Sequence, residues 1–202
     1  MHEELEAIAC GSKGSADLPA FLNVWDLLGP YGELRSKAFD GLVEWGGCIV
    51  YCGGALSIPH PVRGTKDSVG PSAECQAAKH PGCFAGFLHV HLNDDELGGA
   101  YPGFSGADYR AMMVSGIRLA LVTNGPEVFA LVRPGPARRQ LVSDRECLMW
   151  RQMYHERIEE GKRSGTIGAK LWEANQEMCR KLGLAFYRGL WGKPLVCMFS
   201  PD

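Results

Sequence analysis

IRLALVTNGPEVFALVR, residues 117–133, sets two apolar runs around a single asparagine–glycine pair. Runs of Leu, Val, Ile and Phe on either side of Asn124-Gly125 predict two antiparallel strands, 117–123 and 127–133, joined by a tight turn. The turn needs positive φ angles, which Asn and Gly adopt at the least cost. A lone hairpin is marginal in water, so this pair needs a sheet to join. Two upstream stretches can supply it. AGFLHVHL, residues 85–92, reads as a strand, and GGCIVYCGGAL, residues 46–56, reads as a buried strand flanked by glycines.

Helical patterns surround these strands. DLPAFLNVWDLLG, residues 17–29, predicts a short helix with Asp17 as cap, Pro19 in its first turn and Gly29 at its end. Residues 31–44 predict a second helix with Leu34, Ala38, Leu42 and Val43 on one face. Ser105 opens a third helix that runs to about Ser115, with Asp108 three residues on in a capping-box layout. Residues 143–161 and 166–182 predict two more helices, and PLVCMFS, residues 194–200, a last short strand. Residues 59–83 and 93–104, rich in glycine and turn formers, predict long loops. The fold class is α+β (mixed α/β): a central sheet flanked by helices, residues 1–142, with a helical C-terminal extension, residues 143–202, packed on the same domain. The helices of that extension, with Trp150, Met153, Tyr154, Trp172 and Met178, read as a core-packing pair.

The 202 residues are 46% hydrophobic and 22% charged, enough to bury a core, with a formal charge of −2. No basic excess points to nucleic acid. The acidic start, MHEELEAIAC, does not read as a signal peptide, and no run of about 18 apolar residues predicts a membrane span, so a cytoplasmic setting is expected. Eight scattered cysteines are then expected as reduced thiols. Cys75, His80 and Cys83 leave open a small structural metal site, with an ordinary loop the preferred reading because the spacing fits no familiar zinc module.

Chemistry concentrates in GFLHVHLNDDELGGAYPGFSGAD, residues 86–108. On a strand, residues two apart share a face, so His89 and His91 project together, with Phe87 beside them and Leu88, Val90 and Leu92 on the other side. Two imidazoles within reach of one ion suit zinc, and Asp108 in the first turn of the next helix adds a third ligand. Three protein ligands leave a fourth position for water, the arrangement of a catalytic rather than a structural zinc. Upstream, Glu44 stands at a helix–strand junction in VEWGGCIVYCGG, beside a buried strand.

Glu44 before a glycine-rich strand, then His89-x-His91, then Ser105-x-x-Asp108, resembles the JAMM (MPN-plus, JAB-domain) zinc metalloproteases, isopeptidases that act on ubiquitin and ubiquitin-like proteins. The hairpin LALVTNGPEVFALVRP is also similar to a strand pair of that family. The resemblance covers about residues 30–134 and departs at two points. Leu92 stands where the family has proline, and the interval from His91 to Ser105 is longer, which also brings Asp94, Asp95 and Glu96 near as competing ligands. Asp108 ranks first because it alone sits in the Ser-x-x-Asp frame.

The resemblance implies a JAB/MPN-like sheet, one Zn2+ held by His89, His91 and Asp108, Glu44 as general base, and Ser105 as a donor to the oxyanion. It implies a ubiquitin-like or sulfur-carrier-like protein substrate, E1- or E2-like enzymes as companions, and a bacterial member of the family. A non-catalytic MPN-like scaffold and a different small metallohydrolase are the other expectations. Nothing in the sequence speaks to oligomeric state.

Overall fold

The computed structural model describes residues 2–10, 18–66, 68–70, 82–92, 103–115, 117–123, 125–134 and 143–201. Along the chain run α1 (His2–Cys10), β1 (Phe21–Leu22), a 3-10 turn (Trp25–Leu27), α2 (Leu28–Gly41), β2 (Trp45–Cys52), β3 (Ala55–Ser57), β4 (Pro61–Arg63) and β5 (Cys83–Val90). Then come α3 (Gly106–Ser115), β6 (Leu119–Thr123), β7 (Glu127–Val132), α4 (Asp144–Ser164), α5 (Ile167–Leu182), β8 (Ala185–Leu190) and β9 (Leu195–Phe199). The strands form one mixed sheet in the order β1-β9-β8-β7-β6-β5-β2-β3, with β4 beside the start of β2.

Among the described strands only β5 and β6 run parallel. Parallel neighbours need a crossover, and α3 supplies it. A crossover helix runs back against its strands, so the start of α3 lies at the C-terminal end of β5. The two strands pass closely: a Cβ at Gly86 would stand 1.6 Å from the Leu119 carbonyl oxygen. Only glycine fits there.

Helices cover both faces of the sheet. Ile8 of α1 and Leu34 and Ala38 of α2 join Leu88, Val90 and Leu121 in one core, while Tyr109 and Met112 of α3 and Met178 of α5 join Phe87, Val122 and Phe129 in the other. Alternation along β5 feeds both layers, and a strand buried on both faces reads as a continuous apolar run. The fold is thus mixed α+β, as expected.

Several boundaries differ from expectation. Residues 18–24 are not helical, and 25–27 make only a 3-10 turn. Phe21 and Leu22 pair with Val196 and Leu195, and the helix begins only at Leu28, with Gly29 and Pro30 inside its first turn. Proline costs nothing there because the first N–H groups of a helix have no partner in it. Asp17 lies outside the described residues. At its other end α2 stops at Gly41, where Leu42 takes a left-handed φ of 48° and is turned into solvent, so Leu42 and Val43 do not continue the buried face.

The stretch 46–56 is two strands, β2 and β3, folded over Gly53-Gly54, and the expected loop at 59–83 contains β4 and the start of β5. The loop expected at 93–104 is described only from Gly103 on. The segment 143–202 holds its two helices, each ending at a left-handed glycine, Gly165 and Gly183. It also adds β8 as well as β9 to the sheet, where a single last strand was expected.

The thiol expectation is corrected. Cys10 and Cys83 form a disulfide, and Cys48 is disulfide-bonded as well, whereas Cys52, Cys147, Cys179 and Cys197 are not in disulfides. The packing of α1 on β5 brings the Cys10 and Cys83 Cα atoms to 5.3 Å, within the range that a disulfide bridges. Cys83 is therefore no metal ligand, and Cys75 and His80 lie outside the described residues. Among the described residues no helix is long and apolar enough to cross a membrane.

Candidate metal centre

Three pieces of chain meet at the C-terminal end of β5. His89 lies on the strand. His91 follows its last residue but stays in register, its N–H donating to the Thr123 carbonyl of β6 at 2.8 Å. The topology of the crossover then sets the first turn of α3 next to them. There the Ser105 N–H and hydroxyl each donate to Asp108 Oδ2 at 2.7 Å, and the Asp108 N–H points back at Ser105 Oγ at 3.4 Å. The expected capping box is formed, and it aims the other carboxylate oxygen outward from the helix start.

That oxygen, Asp108 Oδ1, lies 3.1 Å from His89 Nε2. The Nε2 atoms of His89 and His91 are 2.7 Å apart, and His91 Nε2 stands 3.9 Å from Asp108 Oδ2. Ligand atoms about 2.0–2.1 Å from a tetrahedral ion stand about 3.3 Å from one another. The two separations from His89 Nε2, 2.7 and 3.1 Å, fall a little below this value, His91 Nε2 is 3.9 Å from the other carboxylate oxygen, and both imidazoles are buried. His89, His91 and Asp108 can hold a metal ion.

Glu44 arrives from the other direction. Trp45 opposes Val90 in the antiparallel β2–β5 pair, so the residue before Trp45 falls opposite the residue after Val90. Glu44 is 8% exposed, and its Oε1 lies 3.8 Å from His91 Nε2. Its backbone is fixed on both sides: Glu44 N–H donates to Thr65 O at 2.7 Å, and Gly64 N–H donates to Glu44 O at 2.9 Å. All five side chains singled out in the sequence are thus brought to one place. Asp94, Asp95 and Glu96 lie outside the described residues.

Burial and charge order the protons. Burial opposes charge on His89, but the charge and hydrogen bond of Asp108 and the charge of Glu44 carry its pKa above the ordinary histidine value. Burial pulls His91 down and the charge on His89 adds to this, so its pKa falls to about 3 despite Asp108. Burial by itself would raise Asp108, yet the charge and hydrogen bond of His89, the charge of His91 and the Ser105 N–H hold it well below the usual carboxylate range.

Two residues outside any recognised motif hold this frame. Thr123 is fully buried, and besides anchoring His91 through its carbonyl it donates its hydroxyl to Glu127 O at 2.6 Å. Arg133 is buried at the end of β7 and donates to the Met112 carbonyl of α3 at 2.7 Å. A cation suits the C-terminal half of a helix. The sequence signal for Arg133 was a charge closing an otherwise apolar strand, as Glu44 opens one.

No protein-family model matches the chain, and no curated protein or solved structure does.

Proposed function

We propose that the chain is a zinc-dependent hydrolase of the JAMM type, which cleaves the peptide or isopeptide bond after the C-terminal tail of a ubiquitin-like or sulfur-carrier-like protein. The observation that carries this is the position of Glu44, a buried carboxylate 3.8 Å from His91 Nε2, on the same cluster that His89, His91 and Asp108 form. A structural metal site needs no additional buried carboxylate beside its ligands.

When bound, zinc supplies a Lewis acid and lowers the pKa of water to about 7. The chain's own residues do the rest. Glu44 takes a proton from the attacking water and passes it to the leaving amine, the task of a general base that turns acid. Ser105, whose hydroxyl donates to Asp108 Oδ2, holds the carboxylate ligand in place and can turn that donor toward the developing oxyanion. A glycine-rich tail lies extended, the shape that pairs with an exposed strand edge.

E1- or E2-like companions and a cytoplasmic setting belong to this reading. The Cys10–Cys83 disulfide speaks for an oxidising compartment, and the state of that pair in protein drawn directly from cells decides between the two settings.

The test is metal content together with turnover. Elemental analysis should find about one zinc per chain, lost in His89→Ala, His91→Ala and Asp108→Ala, and the zinc-loaded protein should cleave some member of a panel of ubiquitin-like fusions. Wild type that takes up no zinc on reconstitution overturns the reading. Zinc uptake with binding of the fusions but no cleavage replaces it with a scaffold.

A further inference from the structure

The peptide group between Phe104 and Ser105 is gripped at both ends. Its N–H donates to Asp108 Oδ2 at 2.7 Å, and its carbonyl oxygen accepts the hydroxyl of Tyr154 from α4. Tyr154 is in turn fixed by Asn175 of α5, whose Nδ2 donates to the Tyr154 oxygen at 3.3 Å and to the Leu171 carbonyl at 2.8 Å. Asn175 Oδ1 accepts the hydroxyl of Tyr109 at 2.8 Å, and Tyr109 is the residue after Asp108. Tyr109 and Asn175 have no exposed surface, and Tyr154 has little. The chain of contacts therefore leaves α3 on one side of Asp108 and returns to it on the other.

A buried amide is an unusual choice for the interior of a helix pair. Packing alone would take another leucine, since a buried polar side chain costs free energy unless its hydrogen bonds are made. Here both ends of Asn175 are used, and both lead to the helix start that carries Asp108. Hydrogen bonds in series polarise one another, so a donor on the Phe104 carbonyl makes the Ser105 N–H a better donor to the carboxylate.

We infer that Tyr154 and Asn175 are positioning residues for the Ser105–Asp108 half of the metal centre, and that the C-terminal helix pair is part of that centre's supporting shell. The inference rests on the reading of His89, His91 and Asp108 as metal ligands. Outer partners of metal ligands commonly change affinity 10–100-fold when removed.

Cobalt(II) alone is the probe, followed by its visible absorption and by competition with a chelator at 25 °C. Tyr154→Phe removes one hydroxyl and keeps the ring. Ile167→Val trims a residue packed on the same Tyr154–Leu171–Ala174 cluster and touches none of the hydrogen bonds, so it reports loosened packing alone. The expected result is about one cobalt per wild-type chain, affinity about 10-fold weaker in Tyr154→Phe with a changed spectrum, and wild-type affinity in Ile167→Val. Equal affinity in wild type and Tyr154→Phe, or an equal loss in both variants, overturns the positioning role and leaves the metal centre standing. Failure of the folded wild type to bind cobalt overturns the metal reading and this inference with it.

Discussion

His89 and His91 hold their Nε2 atoms 2.7 Å apart, too close for a proton on each pointing at the other. The carboxylate of Asp108 resolves the conflict. His89 points its Nε2–H at Asp108 Oδ1 at 3.1 Å, and His91 stays neutral with an unprotonated Nε2 on that side. Without an ion the extra proton of the cluster sits on His89, and an ion bound at His89 Nε2 must displace it.

Metal uptake should therefore be linked to pH through one group. His89 is raised, so its ion pair stabilises the fold below the ordinary histidine value and is lost as pH climbs through the raised one. Asp108 is lowered, so its share is present above the ordinary carboxylate value and lost only in strong acid. His91, near 3, is uncharged at neutral pH and carries no second ring proton. At pH 6.5, titration calorimetry of zinc in buffers of different ionisation enthalpy should show more than half a proton released per ion from these ligands, a share that falls away as pH passes the raised His89 value. Two protons at pH 6.5 would mean that His91 is charged and that this account of the cluster is wrong.

Glu44→Gln keeps the size and burial of the side chain and removes the base. General-base catalysis contributes about 10²–10⁴-fold. Turnover of a cleavable fusion should fall by at least about 100-fold, while zinc content stays near one per chain. If zinc is lost along with turnover, Glu44 is a ligand and not a base.

The site was more legible in the sequence than the frame around it. Strand alternation alone sets His89 and His91 on one face, and a four-residue capping box reveals where α3 starts. Both are local rules that hold wherever the segment lies. The hairpin followed in the same way from two apolar runs about a turn, with Thr123 pairing to Val128. Long-range pairing was not legible. β1 has two residues and β4 three, too few to display any period, and β8 carries Arg188 and Gly189 within six residues. Whether Glu44 meets His91 depends on the β2–β5 register, and that emerges only once Trp45 is seen opposite Val90. Asn175 reads in the sequence as one more polar residue on an amphipathic helix, because nothing local marks it as facing inward.

The Cys10–Cys83 bond spans a sequence separation of 73 residues. By chain entropy a closed loop of that length is worth about 4 kcal/mol, and measured bonds of this kind commonly give about 2–4 kcal/mol. Cys10→Ser should lower the denaturant midpoint accordingly without changing metal content, because α1 contributes no ligand. Alkylation of protein at lysis, before reduction, should leave Cys10 and Cys83 unlabelled if the bond exists in the cell. Full labelling of both would place the chain in a reducing compartment and remove the objection to a cytoplasmic setting.

Two glycine substitutions separate close backbone approach from chain entropy. A methyl at Gly86 would meet the Leu119 carbonyl oxygen at 1.6 Å, and that atom belongs to the neighbouring strand, so no side chain can rotate to make room. Relief requires β5 and β6 to part, which breaks the parallel pair that sets His89 beside Asp108. Gly86→Ala should be insoluble, or lack a cooperative unfolding transition. At Gly32, on the exposed side of α2, nothing lies within 4 Å of the same methyl. There alanine only restricts the unfolded chain and favours the helix, so Gly32→Ala should gain about 0.5–1 kcal/mol. A cooperative, metal-binding Gly86→Ala would show that β5 and β6 are not paired in this register, and the placement of the metal centre at the β5 end would fall with it.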